Sequence, residues 1–565
     1  MAQQPVTAAK KNAKPRNATK ITPQIPKANR YQKGKVFLEN ADLLVADENR
    51  STDYQVLKGN VRFRRGNMYM FCDSAYFYEA TSSLDAFGHV RMTQGDTLKV
   101  NADILHYYGN EEIAELRRNV RLENRSTTLV TDSLDYEIAS NVGYYFSGGT
   151  IVDNRNDTEL SSQYGRYELG TKQAEFLHDV HLINEKYEMF TDQLNYDLRT
   201  HVASIVSETE IRSDGSSIHA TNGWYNTSHD DATLYQRGLI TAKDGQTLEG
   251  DTVYYNRARN FGEARGNVII HDPKNQVILD GDYGYHDDNT HYSYVTRRAR
   301  AREFSQGDTL YIHADTLCTL LDQDSLRLIK AFSGTRFYRK DFQGICDSLQ
   351  LSERDSIINM YRNAVIWNEN RQIYGNEINI HLIDSAADWA TLPDFGFIAE
   401  HLGENYYNQL SGKKMKAWFE QDKTSEQQNY SSSSTRGQTY LRQLDVDGNV
   451  IAIFYPQEQD STYNKQVQAE GGYLRVSLKP GEVHERIDGT RTQDQAQIDK
   501  IVLWPDVTGV VTPLYLLKKA QLYQQQFHWF NNLRPQTPND IFNNNASQLE
   551  ELKNAGRRRS SRPTS

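Results

Sequence analysis

The chain has 565 residues and a formal net charge of -10, only 38% of it is hydrophobic, and Tyr (35) outnumbers Phe (20) and Trp (6). Such a composition suits sheets with one wet face better than a thick helical core, and no run of eighteen apolar residues is present to cross a bilayer as a helix. The three cysteines, Cys72, Cys318 and Cys346, form no CxxC pair, which excludes zinc-ribbon and thioredoxin-type chemistry; Cys72 and Cys346, each just before an Asp, read as small buried filler.

Residues 1–35 carry nine Lys or Arg and no acid; they read as a solvated basic tail, with peripheral membrane contact as a secondary reading and nucleic acid not among the expected partners. The opening MAQQPVTAAKKNAKPRNATK contains no apolar signal-peptide core, although Ala2-Gln3-Gln4 would suit the residues that follow a small-residue cleavage site.

From residue 36 a period emerges. An element of the form Gly-polar-apolar recurs with anchors at Val61, Val90, Val120, Ile151, Val180, Ile211, Ile240 and Val268, spaced 29, 30, 31, 29, 31, 29 and 28 residues apart. A second element, Asp-x-apolar-x-Tyr in its fullest form, recurs with Asp73, Asp103, Asp132, Asp192, Asp251, Asp282, Asp315 and Asp347. Two series with one period identify a repeat protein before any local assignment is made.

Within each unit apolar residues alternate with polar ones. In the first element the pairs are Val61 and Phe63, Val90 and Met92, Val120 and Leu122, and Val180 and Leu182, with Ile240 and Val268 in equivalent places. In the second they are Leu105 and Tyr107, Leu134 and Tyr136, Leu194 and Tyr196, and Val253 and Tyr255. Period two means strands with one dry face. Stretches such as TQGDT and KDGQT supply turns, so about thirty residues hold two strands and two turns. The recurrent Asp is expected beside a turn, its carboxylate accepting backbone N–H groups at the entry to the second strand.

The first array is assigned to 36–300 and its continuation to 301–420. A Ser/Gln-rich linker follows at 421–440, divergent β units at 441–500, and a C-terminal extension with a basic tail at 501–565. The dry face is ambiguous in Ala299 to Phe304 and in Gly334 to Tyr338. No nucleophile elbow, phosphate loop or HExxH helix occurs, His286–His291 (HDDNTH) reads as a polar loop between strands, and no catalytic residue, metal site or cofactor is assigned.

An antiparallel meander with one apolar face covers that face by folding along its length. The expected fold is all-β: a long repetitive antiparallel meander folded into a V-shaped trough, with the alternating apolar series lining the groove. The units Gly59 to Tyr78, Gly88 to Tyr108 and Arg118 to Tyr136 resemble the OstA-like (LptA-like) family, which includes the periplasmic lipopolysaccharide bridge protein. The resemblance covers roughly Val36 to Ile383 and, more weakly, Leu444 to Val476. It implies a non-enzymatic periplasmic bridge that carries lipopolysaccharide or a related glycolipid by its lipid A tails, associated or not with the outer membrane. It also implies joining to other envelope transport proteins by end-strand addition. Two other readings stand open: a β-solenoid that binds or cleaves polysaccharide, and a structural envelope scaffold whose interior its own side chains fill.

Overall fold

In the computed structural model, the described residues are 35–46, 53–155, 157–304, 308–321, 326–340, 342–383, 386–421, 439–458, 462–481, 483–485, 491–493, 497–543 and 550. The basic tails and nearly all of the Ser/Gln-rich linker lie outside them. The chain forms two compact units, 1–213 and 214–565. Each is nearly all β, and its strand ladders are antiparallel and join consecutive segments of the chain.

The first unit shows how the repeat makes its fold. Its long strands Gln55–Arg65, Met68–Tyr78, Ser83–Gln94, Leu98–Tyr108, Ile113–Asn124 and Thr127–Glu137 pair in sequence as a meander. Each is continuous through a corner near its middle. Along Ser83–Gln94 the buried side chains are Leu84 and Ala86, then Val90 and Met92 beyond a three-residue gap; along Leu98–Tyr108 they are Leu98, Val100 and Ala102, then Leu105 and Tyr107 beyond a two-residue gap. The two arms on either side of the corner turn their dry faces toward each other. Phe63 and Phe77 demonstrate it: Phe63 pairs with Met70, seven residues from Phe77 and so about 23 Å from it along a straight strand, yet the two ring centroids are 5.4 Å apart.

The corner has a recurring backbone cause. The ladder skips from Phe87 opposite Ile104 to Val90 opposite Ala102, so Gly88 and His89 together face the single residue Asp103. Both have left-handed φ, +73° and +42°. The same doublet occurs at Gly59/Asn60, Arg118/Asn119, His178/Asp179, Gln236/Arg237, Gly266/Asn267, Arg297/Arg298, Arg362/Asn363 and Gly448/Asn449. A two-against-one bulge bends its strand, and its recurrence along the meander creases the sheet.

This corrects the reading of both repeat elements. The Gly-polar-apolar element is the corner of a strand that began several residues earlier, not the start of one. Asp73, Asp103, Asp132, Asp192, Asp251, Asp282 and Asp315 lie inside strands, opposite the bulges, and not beside a hairpin turn; Asp347 falls between strands Gln343–Cys346 and Ser348–Ser352. The carboxylates still serve backbone geometry, because they hold the bulge. Asp42 Oδ2 accepts Asn60 Nδ2 at 2.8 Å, Asp103 Oδ2 accepts Asn119 Nδ2 at 2.7 Å and Asp251 Oδ2 accepts Asn267 Nδ2 at 2.8 Å, while His89 Nδ1 lies 2.7 Å from Asp73 Oδ2.

The second unit uses the same device in its strands Asp231–Thr241 through Tyr292–Glu303 and again in Ile357–Asn368 and Thr439–Phe454. There too the arms meet: a Cβ on Gly284 would come within 2.6 Å of Val268 Cγ1 on the opposite arm. Ala299, Ala301 and Phe337 of the ambiguous stretches are buried. The meander runs on to Gln497–Trp504 and Thr508–Pro513, which both pair with Lys465–Lys479. After Pro513 the chain leaves the sheet and runs along it as a strap through residue 543, with short 3-10 turns at Leu514–Leu516, Lys519–Gln521, Asn531–Leu533 and Asp540–Phe542.

Replacing Gly88 by Val tests the corner. The new Cβ would lie 2.5 Å from Asp73 Oδ2 on a backbone at φ +73°, so the variant is expected to lose about 2–3 kcal/mol in denaturant unfolding. Gly95, also at positive φ but with nothing within 4 Å, loses only the strain part, about 1–2 kcal/mol, when changed to Val.

Candidate functional site

The apolar series inferred from the repeat falls on the inner face. Val61, Phe63, Val90, Met92, Leu105, Tyr107, Val120, Leu134, Val180, Leu182, Leu194, Ile240, Val253 and Val268 are buried, and Leu122, Tyr196 and Tyr255 are partly buried; Tyr136 is buried as well. Their strand neighbours point outward and are polar: Arg62, Arg91, Lys99 and Arg121 are exposed. Outward charges are paired along the surface, as in Arg62 with Glu39 at 2.9 Å, or lie over rings, as Arg91 lies over Phe71 at 4.3 Å.

In the first unit the interior is shut. Leu57, Phe63, Val100, Leu105, Leu116 and Val120 are 0% exposed and belong to one continuous cluster. The free ends of the two arms also touch. Arg65, at the end of one arm, forms an ion pair with Glu112 in a turn at the end of the other, and its guanidinium lies 5.8 Å from the Tyr107 ring centroid. Tyr136 Oη, on the Glu112 side, lies 3.4 Å from Gln94 Oε1 on the Arg65 side. Inside this closed mouth the Tyr107 hydroxyl has no hydrogen-bond partner, and burial pushes it up to about 12. An unmet buried hydroxyl costs about 1–3 kcal/mol.

Residues 33–192 match the family model for OstA-like protein. No curated protein matches the chain. The OstA-like segment begins just before strand Phe37–Asn40 and ends within Glu188–Asp197, so it takes in most of the first unit, including its creased sheet and closed mouth.

Beyond the OstA-like segment, the sheet of the second unit is accessible on the opposite terms. Cross-strand partners share a face, and one row runs Ile366, Ile373, Ile398, Leu410, Ala452 through successive pairings. This is the inner row, because Ala364 follows the Arg362/Asn363 bulge as Val90 follows Gly88/His89. Its Ile366, Ile373, Ile398 and Leu410 are only partly buried. The outer row of the same strands runs Gln343, Trp367, Gln372, Ala399, Gln409 and is fully buried under the C-terminal strap. The repeat did not reveal these inner isoleucines, since the Asp that marks the second element is Asn376 here; the alternation in RQIYGNEINIH was the signal that remained.

His286 of the HDDNTH stretch hydrogen-bonds Ser293 Oγ and Asp288 Oδ1, both at 2.6 Å, in a hairpin whose turn amides are capped by Asp287. Among the described residues no three His, Cys, Asp or Glu side chains are grouped to hold a metal, and no helix is long and apolar enough to cross a membrane. Cys72, Cys318 and Cys346 are buried and free. Burial pushes Cys72 and Cys346 up to about 12 and raises Cys318. Since the thiolate is the reactive form, none of the three is expected to react with a disulfide reagent at pH 8 in the folded protein, and all three are expected to react once it is unfolded; a thiol titration with and without guanidinium reads the difference.

Proposed function

We propose that this protein is a non-enzymatic lipid-binding bridge of the bacterial envelope, taking the acyl chains of lipopolysaccharide or a related glycolipid against the inner faces of its creased sheets. The observation that carries the reading is the inversion in the second unit. Isoleucines on the inner row stay partly exposed while the outer row of the same strands is covered. Leaving apolar surface accessible costs about 25 cal/mol per Å², so a row of inner isoleucines left partly exposed beside buried Met360, Ala364 and Ile378, on strands whose outer row is covered, is best explained by a guest along that row. The match of residues 33–192 to the OstA-like model supports the cargo class and a periplasmic setting.

In the first unit a guest requires the arms to part. The contacts that hold the mouth are an ion pair, a ring contact and a hydrogen bond, and the Tyr107 hydroxyl inside would gain a partner from a carbonyl or ester oxygen of an incoming acyl group. Other envelope transport proteins would join through the outermost strands. Phe37, Leu43 and Leu44 at one end of the first unit, and Ile501, Val510 and Val511 at one end of the second, are exposed on strands that pair along one edge only among the described residues, the geometry that strand addition uses.

Photo-crosslinking tests the proposal. With a photoreactive residue at Leu122, Ile373 or Ile398, incubation with lipopolysaccharide is expected to give a glycolipid adduct, and the same residue at outward Lys99 or Arg121 is expected to give none. Equal labelling at inner and outer positions, or none at any, would count against a lipid-lined trough and in favour of a scaffold filled by its own side chains.

A further inference from the structure

The strap meets the outer face of the second unit in an unusual way, through its peptide groups. Gln372 donates from Nε2 to the carbonyl of His528 at 2.8 Å and accepts the N–H of Phe530 at Oε1 at 2.7 Å. Gln409 repeats the pattern six residues earlier, donating to the carbonyl of Leu522 at 2.7 Å and accepting the N–H of Gln524 at 2.8 Å. The Tyr374 hydroxyl does the same between them, donating to the carbonyl of Gln526 and accepting the N–H of His528 at 3.2 Å. Three side chains on the sheet thus each hold the C=O of one strap residue and the N–H of the residue two further on. Gln466 Nε2 adds a bond to the carbonyl of Gln521 at 3.0 Å.

Between these clamps the strap inserts Phe527, Phe530 and Leu533, spaced three apart. Phe530 and Leu533 are buried among Trp367, Tyr374 and Phe397, and Phe527 lies against Tyr407 with ring centroids 5.0 Å apart. The spacing of three comes from tight turns: Phe527 N–H returns to the Gln524 carbonyl at 3.0 Å, and Leu533 N–H returns to the Phe530 carbonyl at 2.9 Å across the 3-10 turn Asn531–Leu533.

The face beneath is built unlike a core. Gln343, Gln372, Gln409 and Gln466 alternate with aromatic and aliphatic residues, and all four are buried with a hydrogen bond to the strap. Their amides would be hydrated, not stranded, if the strap left. Arg336, on the same outer face in the neighbouring row with Ile345 and Val365, is buried with its Nη2 lacking a partner, a donor that regains water when uncovered. A surface that is polar enough to stand in water and apolar enough to bury aromatic side chains has the character of a binding interface.

We infer that the outer face spanning strands Gln343–Cys346 to Lys465–Lys479 is a peptide-binding site that recognises main-chain groups and two apolar pockets three residues apart, and that residues 521–534 are its tethered, releasable ligand. The ligand class is a peptide with exposed main-chain groups followed by two large apolar side chains three residues apart across a tight turn, of which the chain's own segment is the resident example. The site lies on the opposite face of the sheet from the trough and does not depend on what the trough carries.

The full chain carrying Phe530→Asp and Leu533→Asp frees the strap and leaves the site open. A fluorescent synthetic peptide of residues 519–536 is expected to bind this variant saturably and at least tenfold more tightly than it binds the unaltered chain, where the tethered copy competes. Adding Gln372→Ala and Gln409→Ala is expected to weaken that binding at least tenfold. A variant that keeps its β-sheet circular dichroism and binds no peptide overturns the inference. Hydrogen exchange on the unaltered protein decides independently of the variants. Amides of Gln524, His528 and Phe530 exchanging faster than those of strand Ile357–Asn368 show a segment that opens alone; equal rates show one that leaves only when the sheet unfolds, and overturn the inference.

Discussion

Two left-handed residues facing one residue of the next strand, most often an Asp, and recurring along the meander are what the rest of the structure depends on. Without the extra residue at Gly88/His89 or Gly266/Asn267, strands of eleven or twelve residues would run straight, and their dry sides would form one flat apolar sheet open to water. The doublet bends each strand back on itself, so that Phe63 reaches Phe77 and Gly284 lies against Val268. The left-handed backbone costs on the order of 1 kcal/mol at a non-glycine position. The Asn, His or Arg in the doublet offsets this by reaching an Asp of the neighbouring strand, as Asn119 does to Asp103 and Arg362 to Asp347.

That dependence explains why the Asp recurs and why chemistry is a poor account of it. Asp73 and Asp192 are well exposed, and their visible partners are His89 and His178 of adjacent bulges. A carboxylate repeated at each crease and engaged by the residue that makes the crease is accounted for by geometry. The same logic separates inner from outer positions, because the crease fixes which side of the alternation becomes concave.

How much of this was legible in the sequence follows from what each signal encodes. Period-two alternation reports which residues share a face, and it placed Val61, Val90, Leu105 and Leu134 correctly on the dry side. The thirty-residue period gave the two-strand unit. The corner was misread because Gly-Asn is equally the mark of a two-residue hairpin, where both central residues also need positive φ. The burial of Gln343, Gln372 and Gln409 was not legible at all: amide side chains at alternating positions read as a wet face, and only a segment more than a hundred residues downstream covers them.

The two faces of the second unit then have opposite requirements. Its outer row carries hydrogen-bonding side chains because its ligand is a peptide, whose C=O and N–H groups must be satisfied when buried. Its inner row, Ile366, Ile373, Ile398 and Leu410, carries none, and a surface without donors or acceptors can receive only a ligand that demands none. Hydrocarbon meets that condition and a polysaccharide does not, since each buried hydroxyl of a sugar would be left unpaired at a cost of about 1–3 kcal/mol. The absence of polar groups along that row is the physical reason for preferring an acyl chain to a glycan on the inner face.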